Sequence, residues 1–456
     1  YAKNNEAKHV MHALMSDPSE NDWIAIHKLA KELQNLQLMH VRKALLKQTM
    51  ALNPLNTEDQ WLTGLEAVKV LDKEEGQSYF QKFPQKNALL INNDAIIEEM
   101  GNLERKYANY DKAIEYHEKS LAIRLKVHGD QHPDTGISYN NLGLVWKNKG
   151  EYDKAIEYHE KSLAIYLKVH GDQHPSTGSS YNNLGVVWEN KGEYDKAISY
   201  YEKSLAICLK VHGDQHPSTG TSYSNLGIVW SRKNDHDKAI GYYEKSLAIN
   251  LKVHGDQHPS TARSYNHLGM NCWNKSEYDK AYVYFKKGLM IKLKVYGDQH
   301  PSTGKSYSNL GMVFDIKGDY AKAIEYYEKG LAIFLKVYGD QHPNTAQSYN
   351  NLGGPICSQD RYDKAIEYYE KSLAIYLKVH GDQHPDTAES YNNLGLVYRD
   401  KEQYDKAIDY FEKALSIRLK VHGDQHPETV DSYNNLILVW SKAGEYRSKK
   451  EEYDKA

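Results

Sequence analysis

Along most of the chain, large apolar and aromatic residues return at steps of three and four. In the stretch "YNNLGLVWKNKGEYDKAIEYHEKSLAIYLKVHG", Tyr139, Leu142, Val145 or Trp146 and Lys149 share a helical face, and "NKG" closes the run with a glycine suited to a left-handed cap. A second run opens at Tyr152 and sets Ala155, Tyr158 or His159, Ser162 or Leu163, Tyr166 or Leu167 and Val169 on one stripe. Glu157 and Lys161 are spaced to pair on its polar side. The pattern predicts two helices, the first about four turns long. Neither is apolar all round, so each can hide its stripe only against neighbours, and such units must stack.

The unit repeats without insertion. "GDQHP" occupies residues 129–133 and recurs from 171, 213, 255, 297, 339, 381 and 423, a spacing of 42. It reads as a joint: Gly129 can take the positive φ that ends one helix, and Pro133 opens the next, where its missing N–H costs nothing. The residues that follow are Asp134, Ser176, Ser218, Ser260, Ser302, Asn344, Asp386 and Glu428; all except the glutamate are expected to cap that helix well, and the acids also suit its positive end. Several units depart from the pattern. Gly354 and Pro355 fall inside a first helix and predict a kink or break. Ile437 stands where a glycine is expected, His236 replaces a helix-opening tyrosine, and "RSKKEE" delays the last "YDKA" to Tyr453.

The run Tyr139, Leu142, Gly143, Trp146, Ala155, His159, repeated as Tyr181, Leu184, Gly185, Trp188, Ala197, Tyr201, resembles the tetratricopeptide repeat. The 42-residue length, with "HP" before the first helix and "NNLG" within it, is similar to the kinesin light chain subtype. The resemblance covers residues 91–456, as eight complete helix pairs and a ninth begun at Pro427, and implies an all-α, right-handed solenoid of antiparallel helix pairs. Residues 1–90 carry helical patterns of their own, with Thr57 and Gln60 spaced as a capping box. The segment around Trp61 resembles the half-a-tetratricopeptide repeats of RNA-processing factors, and helical capping of the array is the plainer reading.

Composition narrows the function. Of 456 residues, 58 are Lys or Arg and 61 Asp or Glu, so a net charge of −3 gives no reason to expect long-range attraction to nucleic acid or an anionic membrane. No apolar run approaches the roughly 20 residues a membrane helix needs, and "YAKNNEAKHV" lacks the apolar core of a signal peptide. The chain opens on Tyr1 and reads as a fragment of a longer one. Cys208, Cys272 and Cys357 sit at unrelated columns, which fits a reducing, cytoplasmic setting better than a disulfide framework. His128, His132 and Asp130 make a metal trio on paper, yet Tyr296 and Tyr338 replace the first histidine while the joint persists, so no metal site is expected. Nearly every polar residue recurs, which argues against a unique active site; no catalytic role and no cofactor are expected.

Binding remains. The family resemblance implies that asparagines on the first helices hydrogen-bond the backbone of an extended partner peptide. The matching column is Asn141, Asn183, Asn225, His267, Asn309, Asn351, Asn393 and Asn435. An amide offers donors and an acceptor, so such a ladder can hold peptide groups; the same amides can also bond within their own turn or between neighbouring helices. Selectivity would come from the varying column Ile137, Ser179, Thr221, Arg263, Lys305, Gln347, Glu389 and Asp431. Arg263 and Lys305, with Arg232, would form a basic centre, and Glu389 and Asp431 an acidic end; a solvated face without function is the alternative. The resulting expectation is a scaffold that grips an extended or short helical segment of a protein partner, acidic near mid-array. Rival readings are a kinesin light chain-like cargo adaptor, an RNA-processing assembly factor, and the repeat arm of a larger signalling protein.

Overall fold

The computed structural model describes residues 93–455, with side chains as far as Tyr446. Thr57, Gln60, Trp61 and the half-repeat resemblance lie outside the described residues. Every described element is α-helical: there are 17 helices and no strand among the described residues. The chain divides into two units, residues 1–214 and 215–456.

The first unit holds α1 (Asp94–Lys106), α2 (Tyr110–His128), α3 (Pro133–Lys149), α4 (Tyr152–His170), α5 (Pro175–Asn190) and α6 (Tyr194–His212). The second holds α7 (Pro217–Arg232), α8 (His236–His254), α9 (Pro259–Asn274), α10 (Tyr278–Tyr296), α11 (Pro301–Ile316), α12 (Tyr320–Tyr338), α13 (Pro343–Cys357), α14 (Tyr362–Val379), α15 (Pro385–Asp400), α16 (Tyr404–His422) and α17 (Pro427–Lys455). Within each unit every helix packs on the one before it and the one after. Odd-numbered helices are the first of each pair and even-numbered ones the second. In the second unit a single buried cluster runs from Ala323 and Tyr327 on α12 through Leu352, Ala365, Leu394 and Phe411 to Val439 on α17.

Each pair is closed by contact between a glycine on the first helix and a ring on the second. A Cβ added to Gly143 would stand 2.7 Å from the His159 ring, and one added to Gly269 would stand 2.6 Å from Phe285. Gly185 and Gly395 face Tyr201 and Phe411 equally closely, at 2.7 Å. Real Cβ atoms do not approach a ring so closely, so glycine is required there. Ile437, on α17, is the exception that fits: this helix continues for 29 residues, no second helix packs back on it among the described residues, and Ile437 is 62% exposed. A second, aromatic contact recurs on the flank. Tyr139 lies with its ring centroid 6.2 Å from Tyr158, and Lys161 stands over both rings. The same trio returns as Tyr307, Tyr326 and Lys329.

The joints differ from the sequence expectation in one respect. The residue that caps each first helix from α3 onward is the histidine before proline, not the residue after it; α1, which no such joint precedes, is capped by Asn93. His132 Nδ1 accepts from the N–H of Asp134 at 3.2 Å, and His300 does so from Ser302 at 3.1 Å; all eight copies share this bond, His426 to Glu428 being the longest at 3.3 Å. With proline at the first helical position, residue 134 is the second, so its N–H is the group that needs a partner. The histidine ring is held by stacking on the last ring of the preceding helix: His128 on His132 with centroids 4.4 Å apart, Tyr296 on His300 at 4.5 Å, Tyr338 on His342 at 4.1 Å. Only a flat ring is needed there, which is why tyrosine replaces histidine. Gly129, at φ 86° and ψ 177°, occupies a region reserved for glycine, and Thr135 Oγ1 donates to its carbonyl at 2.7 Å.

The Gly354–Pro355 pair does not break its helix. α13 runs from Pro343 through to Cys357, 15 residues against 16 in α11 and α15, with Pro355 buried inside it. The turn between paired helices needs a left-handed residue, which Gly150 supplies at φ 87° and Ser276 and Glu402 supply at 61° and 60°. Non-glycine residues are strained there. Ser276→Gly and Glu402→Gly are therefore expected to raise unfolding free energy by roughly 0.5–1 kcal/mol each, after allowing for the added entropy of the unfolded chain, in urea titrations. His300→Ala should lower it by about 1 kcal/mol and His300→Asn should restore most of that, because asparagine is itself a good N-cap.

Candidate binding groove

On each first helix, positions equivalent to 137, 140, 141, 144 and 147 share one face by helical spacing. The asparagine column expected to grip a ligand forms a ladder between copies. Asn183 Nδ2 donates to Asn140 Oδ1 at 2.8 Å, Asn309 to Asn266 at 2.7 Å, and Asn393 and Asn435 to Asn350 and Asn392 at 3.0 Å. At the start of the first unit, Asn141 donates instead to Glu98 Oε1 at 2.9 Å. Each rung joins residues 43 apart, one more than the repeat, so it ties adjacent first helices together. The bond uses one amide hydrogen-bonding group of each partner. The Oδ1 atoms of Asn183 and Asn309, and the Nδ2 of Asn140, retain their capacity to bond a peptide.

The ladder has gaps. Ser224 and Ser308 stand where the receiving asparagine belongs, and the residues due to reach them turn elsewhere. His267 packs its ring 4.9 Å from Tyr243, and Asn351 Oδ1 accepts from Gln347 Nε2 at 3.0 Å. Asn225 lies half-buried in the same column at the start of the second unit.

The varying column is exposed throughout, from Ile137, Ser179 and Thr221 to Asp431. Arg263 and Lys305 come together with a third cation that the sequence reading did not single out, Lys292 on α10. Its Nζ donates to Ser306 Oγ at 2.8 Å, and its pKa is pushed down to about 8 by burial and by Lys305. His267 is pushed down to about 4 by burial, then by Arg263 and Lys292. No carboxylate pairs with Arg263, Lys292 or Lys305 among the described residues. Arg232 lies at the last residue of α7, about 16 Å along its helix from the level of Thr221, and so stands away from that cluster. Glu389 is tied to the preceding copy, accepting from Asn350 Nδ2 at 2.9 Å; although its surface stays partly open, the crowding of its carboxylate by neighbouring helices desolvates it and raises its pKa.

Lys292 belongs to a column on the second helices that reads Arg124, Tyr166, Cys208, Asn250, Lys292, Phe334, Tyr376 and Arg418. Its signal was present, since this position varies within the otherwise recurring "LxIxLKV". The column faces the next first helix: Asn250 Nδ2 donates to Ser264 Oγ at 3.0 Å and Arg418 Nη1 to Ser432 Oγ at 2.8 Å. Arg124 is the most engaged member, bonding Asp94 Oδ2 at 2.7 Å, the Asp134 carbonyl at 3.0 Å and Ser138 Oγ at 3.1 Å, and pairing with Glu98.

Three joints, His128–His132–Asp134, His380–His384–Asp386 and His422–His426–Glu428, gather possible metal-binding atoms. In each, one histidine nitrogen is committed to the helix cap and the rings lie stacked, so capping accounts for the cluster. The three cysteines are free; burial raises the Cys272 pKa and pushes Cys357 up to about 11, which keeps both as thiols.

Two tetratricopeptide repeat models match the chain, one over residues 93–146, 189–252, 231–293, 261–336, 316–354, 356–420 and 390–448, the other over 135–176. The chain belongs to the tetratricopeptide repeat family. Solved relatives of this tetratricopeptide protein include a kinesin light chain-like protein with nearly identical repeats from Podosopora anserina, 25% identical, covering 45% of this chain and 98% of that one at a TM-score of 0.42. Aspartyl phosphate phosphatase F from Bacillus subtilis is 15% identical, covers 81% of this chain and 93% of its own, and gives a TM-score of 0.51. A signal transduction ATPase with a tetratricopeptide repeat sensor from Pyrococcus horikoshii is 15% identical over 89% of this chain and 54% of its own, at 0.52. The last two share the fold. No curated protein matches the chain.

The ring column holds histidine in two copies of the first unit. His117 and His159 are fully buried, both ring nitrogens of each lack a partner, and burial pushes both pKa values down to about 4. Each ring must be neutral to stay folded. Its contribution is complete above the ordinary histidine value near 6.5 and is lost as pH falls toward 4, at about 3 kcal/mol per ring. The parent should therefore lose urea resistance between pH 7 and 4.5, and His117→Phe/His159→Phe, using the ring found at Phe285 and Phe411, should remove the share of that loss due to these two rings and leave the share due to His267, whose pKa is likewise pushed down to about 4.

Proposed function

We propose that this tetratricopeptide protein is a non-catalytic scaffold whose first-helix face binds an extended or short helical segment of a protein partner, with acidic residues of that segment at α9 to α11. The observation that carries the reading is the group Arg263, Lys292 and Lys305: three cations without a carboxylate partner, one of them buried enough to lower its pKa, beside an asparagine ladder with spare bonding capacity. Like charges held together in partial burial repel one another, and an anionic guest removes that repulsion. None of the described helices is long and apolar enough to cross a membrane; a cytoplasmic setting is part of the proposal and is supported by the three free thiols.

A fluorescent peptide rich in Asp and Glu should bind the parent chain, and Arg263→Glu/Lys305→Glu should abolish binding with the helical circular dichroism unchanged. Affinity should also decline as pH rises from 7 to 9, because Lys292 is charged below about 8 and neutral above it. Equal affinity of parent and double variant would defeat the electrostatic reading. Asn309→Ala and Asn393→Ala should each weaken a bound peptide by roughly 1 kcal/mol if the amides hold its backbone; a purely structural ladder would leave affinity unchanged and lower only the melting temperature.

A further inference from the structure

Asp315 stands on the groove face of α11, ten residues beyond Lys305 and so about 15 Å further along the helix. Its carboxylate accepts no hydrogen bond and forms no ion pair among the described residues. The same column in the first unit holds Glu189, whose Oε2 accepts from the Tyr201 hydroxyl at 2.7 Å. Tyr327 occupies the column of Tyr201, but aspartate is one methylene shorter and the bond is not made. Burial, with no cation to offset it, pushes the Asp315 pKa up to about 6. A carboxylate held in this way at neutral pH lacks a counter-charge.

The next first helix leaves room beside it. Where other copies carry Leu144, Met312 or Leu396, α13 has Gly354. A Cβ there would lie 3.7 Å from Asp315 Oδ2 and 3.8 Å from the Tyr369 hydroxyl. The absent side chain thus opens a notch in the groove wall with a carboxylate and a phenol oxygen on its walls. Glycine here is not demanded by close packing, because those distances are ordinary contacts; Gly353, one residue earlier, already makes the tight ring contact with Tyr369.

We propose that the notch formed by Asp315, Gly354 and Tyr369 is a subsite for one cationic side chain, an ammonium or guanidinium, of the segment held in the groove. The inference rests on the groove reading above and extends it. A cation satisfies the carboxylate, the phenol oxygen can accept from it, and the space vacated at Gly354 admits its aliphatic stem. The offset of about 15 Å from Lys305 corresponds to four or five residues of extended chain. The favoured ligand therefore carries an acidic residue and a Lys or Arg at about that separation, not acidic residues alone.

Selection of a displayed library of random 12-residue peptides on the parent chain, on Asp315→Asn and on Gly354→Leu at pH 7.5 tests this. The parent should enrich Lys or Arg four or five positions from an acidic residue, and both variants should lose that basic preference while keeping the acidic one. A peptide chosen on the parent should bind either variant about tenfold more weakly or worse. Asp315→Asn should melt no lower than the parent at pH 8, since it removes an uncompensated charge, and Gly354→Leu fills the notch without touching Asp315. Peptides retained with no basic preference, or a preference that survives in both variants, would overturn the subsite and leave the groove reading standing. Retention of no peptide by the parent would bring down both.

Discussion

Everything in this fold depends on how closely two helices of a pair can approach. The approach is set where a glycine meets a ring, because a single methyl group at Gly143 or Gly269 would occupy space already filled by His159 or Phe285. Once this contact is made, the tyrosine pair and its lysine on the flank fall into register, and the buried stripe continues from pair to pair within a unit. The ring itself is free to vary in chemistry. Histidine, tyrosine and phenylalanine all serve, but with different consequences: a tyrosine hydroxyl finds Glu189, whereas the histidine nitrogens of the first unit find nothing. Shape is conserved across the copies at the expense of polar satisfaction.

The helix pairs, their order and the role of the "GDQHP" joint were legible in the sequence because each follows from local periodicity and from glycine and proline chemistry. The identity of the cap was not. Residues 132 and 134 both had suitable acceptors, and only the position of Pro133 at the start of the helix decides that residue 134 supplies the N–H and His132 the acceptor. The substitution of Tyr296 and Tyr338, which had argued against a metal, becomes a statement about stacking once the rings are seen face to face. Of the kink or break expected at Pro355, the break did not occur: the helix continues to Cys357, packed between α12 and α14.

The candidate face on the first helices was legible in part. The asparagine column was visible as a recurring amide, but its partners were not, since a bond 43 residues long links each copy to its neighbour with an offset of one that no single-helix pattern announces. Arg263 and Lys305 were readable as charges on one face. Lys292 was not, because it sits on the other helix of the pair and its charge reaches that face only through the packing of α10 against α11. Asp315 escaped notice for a similar reason: its isolation results from a missing methylene on its own helix and a missing side chain on the next.

The serines at 224 and 308 interrupt what is otherwise a run of cross-ties between neighbouring first helices. Amide rungs tie neighbouring first helices at this face, whereas at Ser308 the hydroxyl donates to the Gly304 carbonyl of its own helix and Asn351 bonds Gln347 instead. Two hydroxyl groups therefore decide which neighbouring first helices of the second unit are stitched together at this face and which are not.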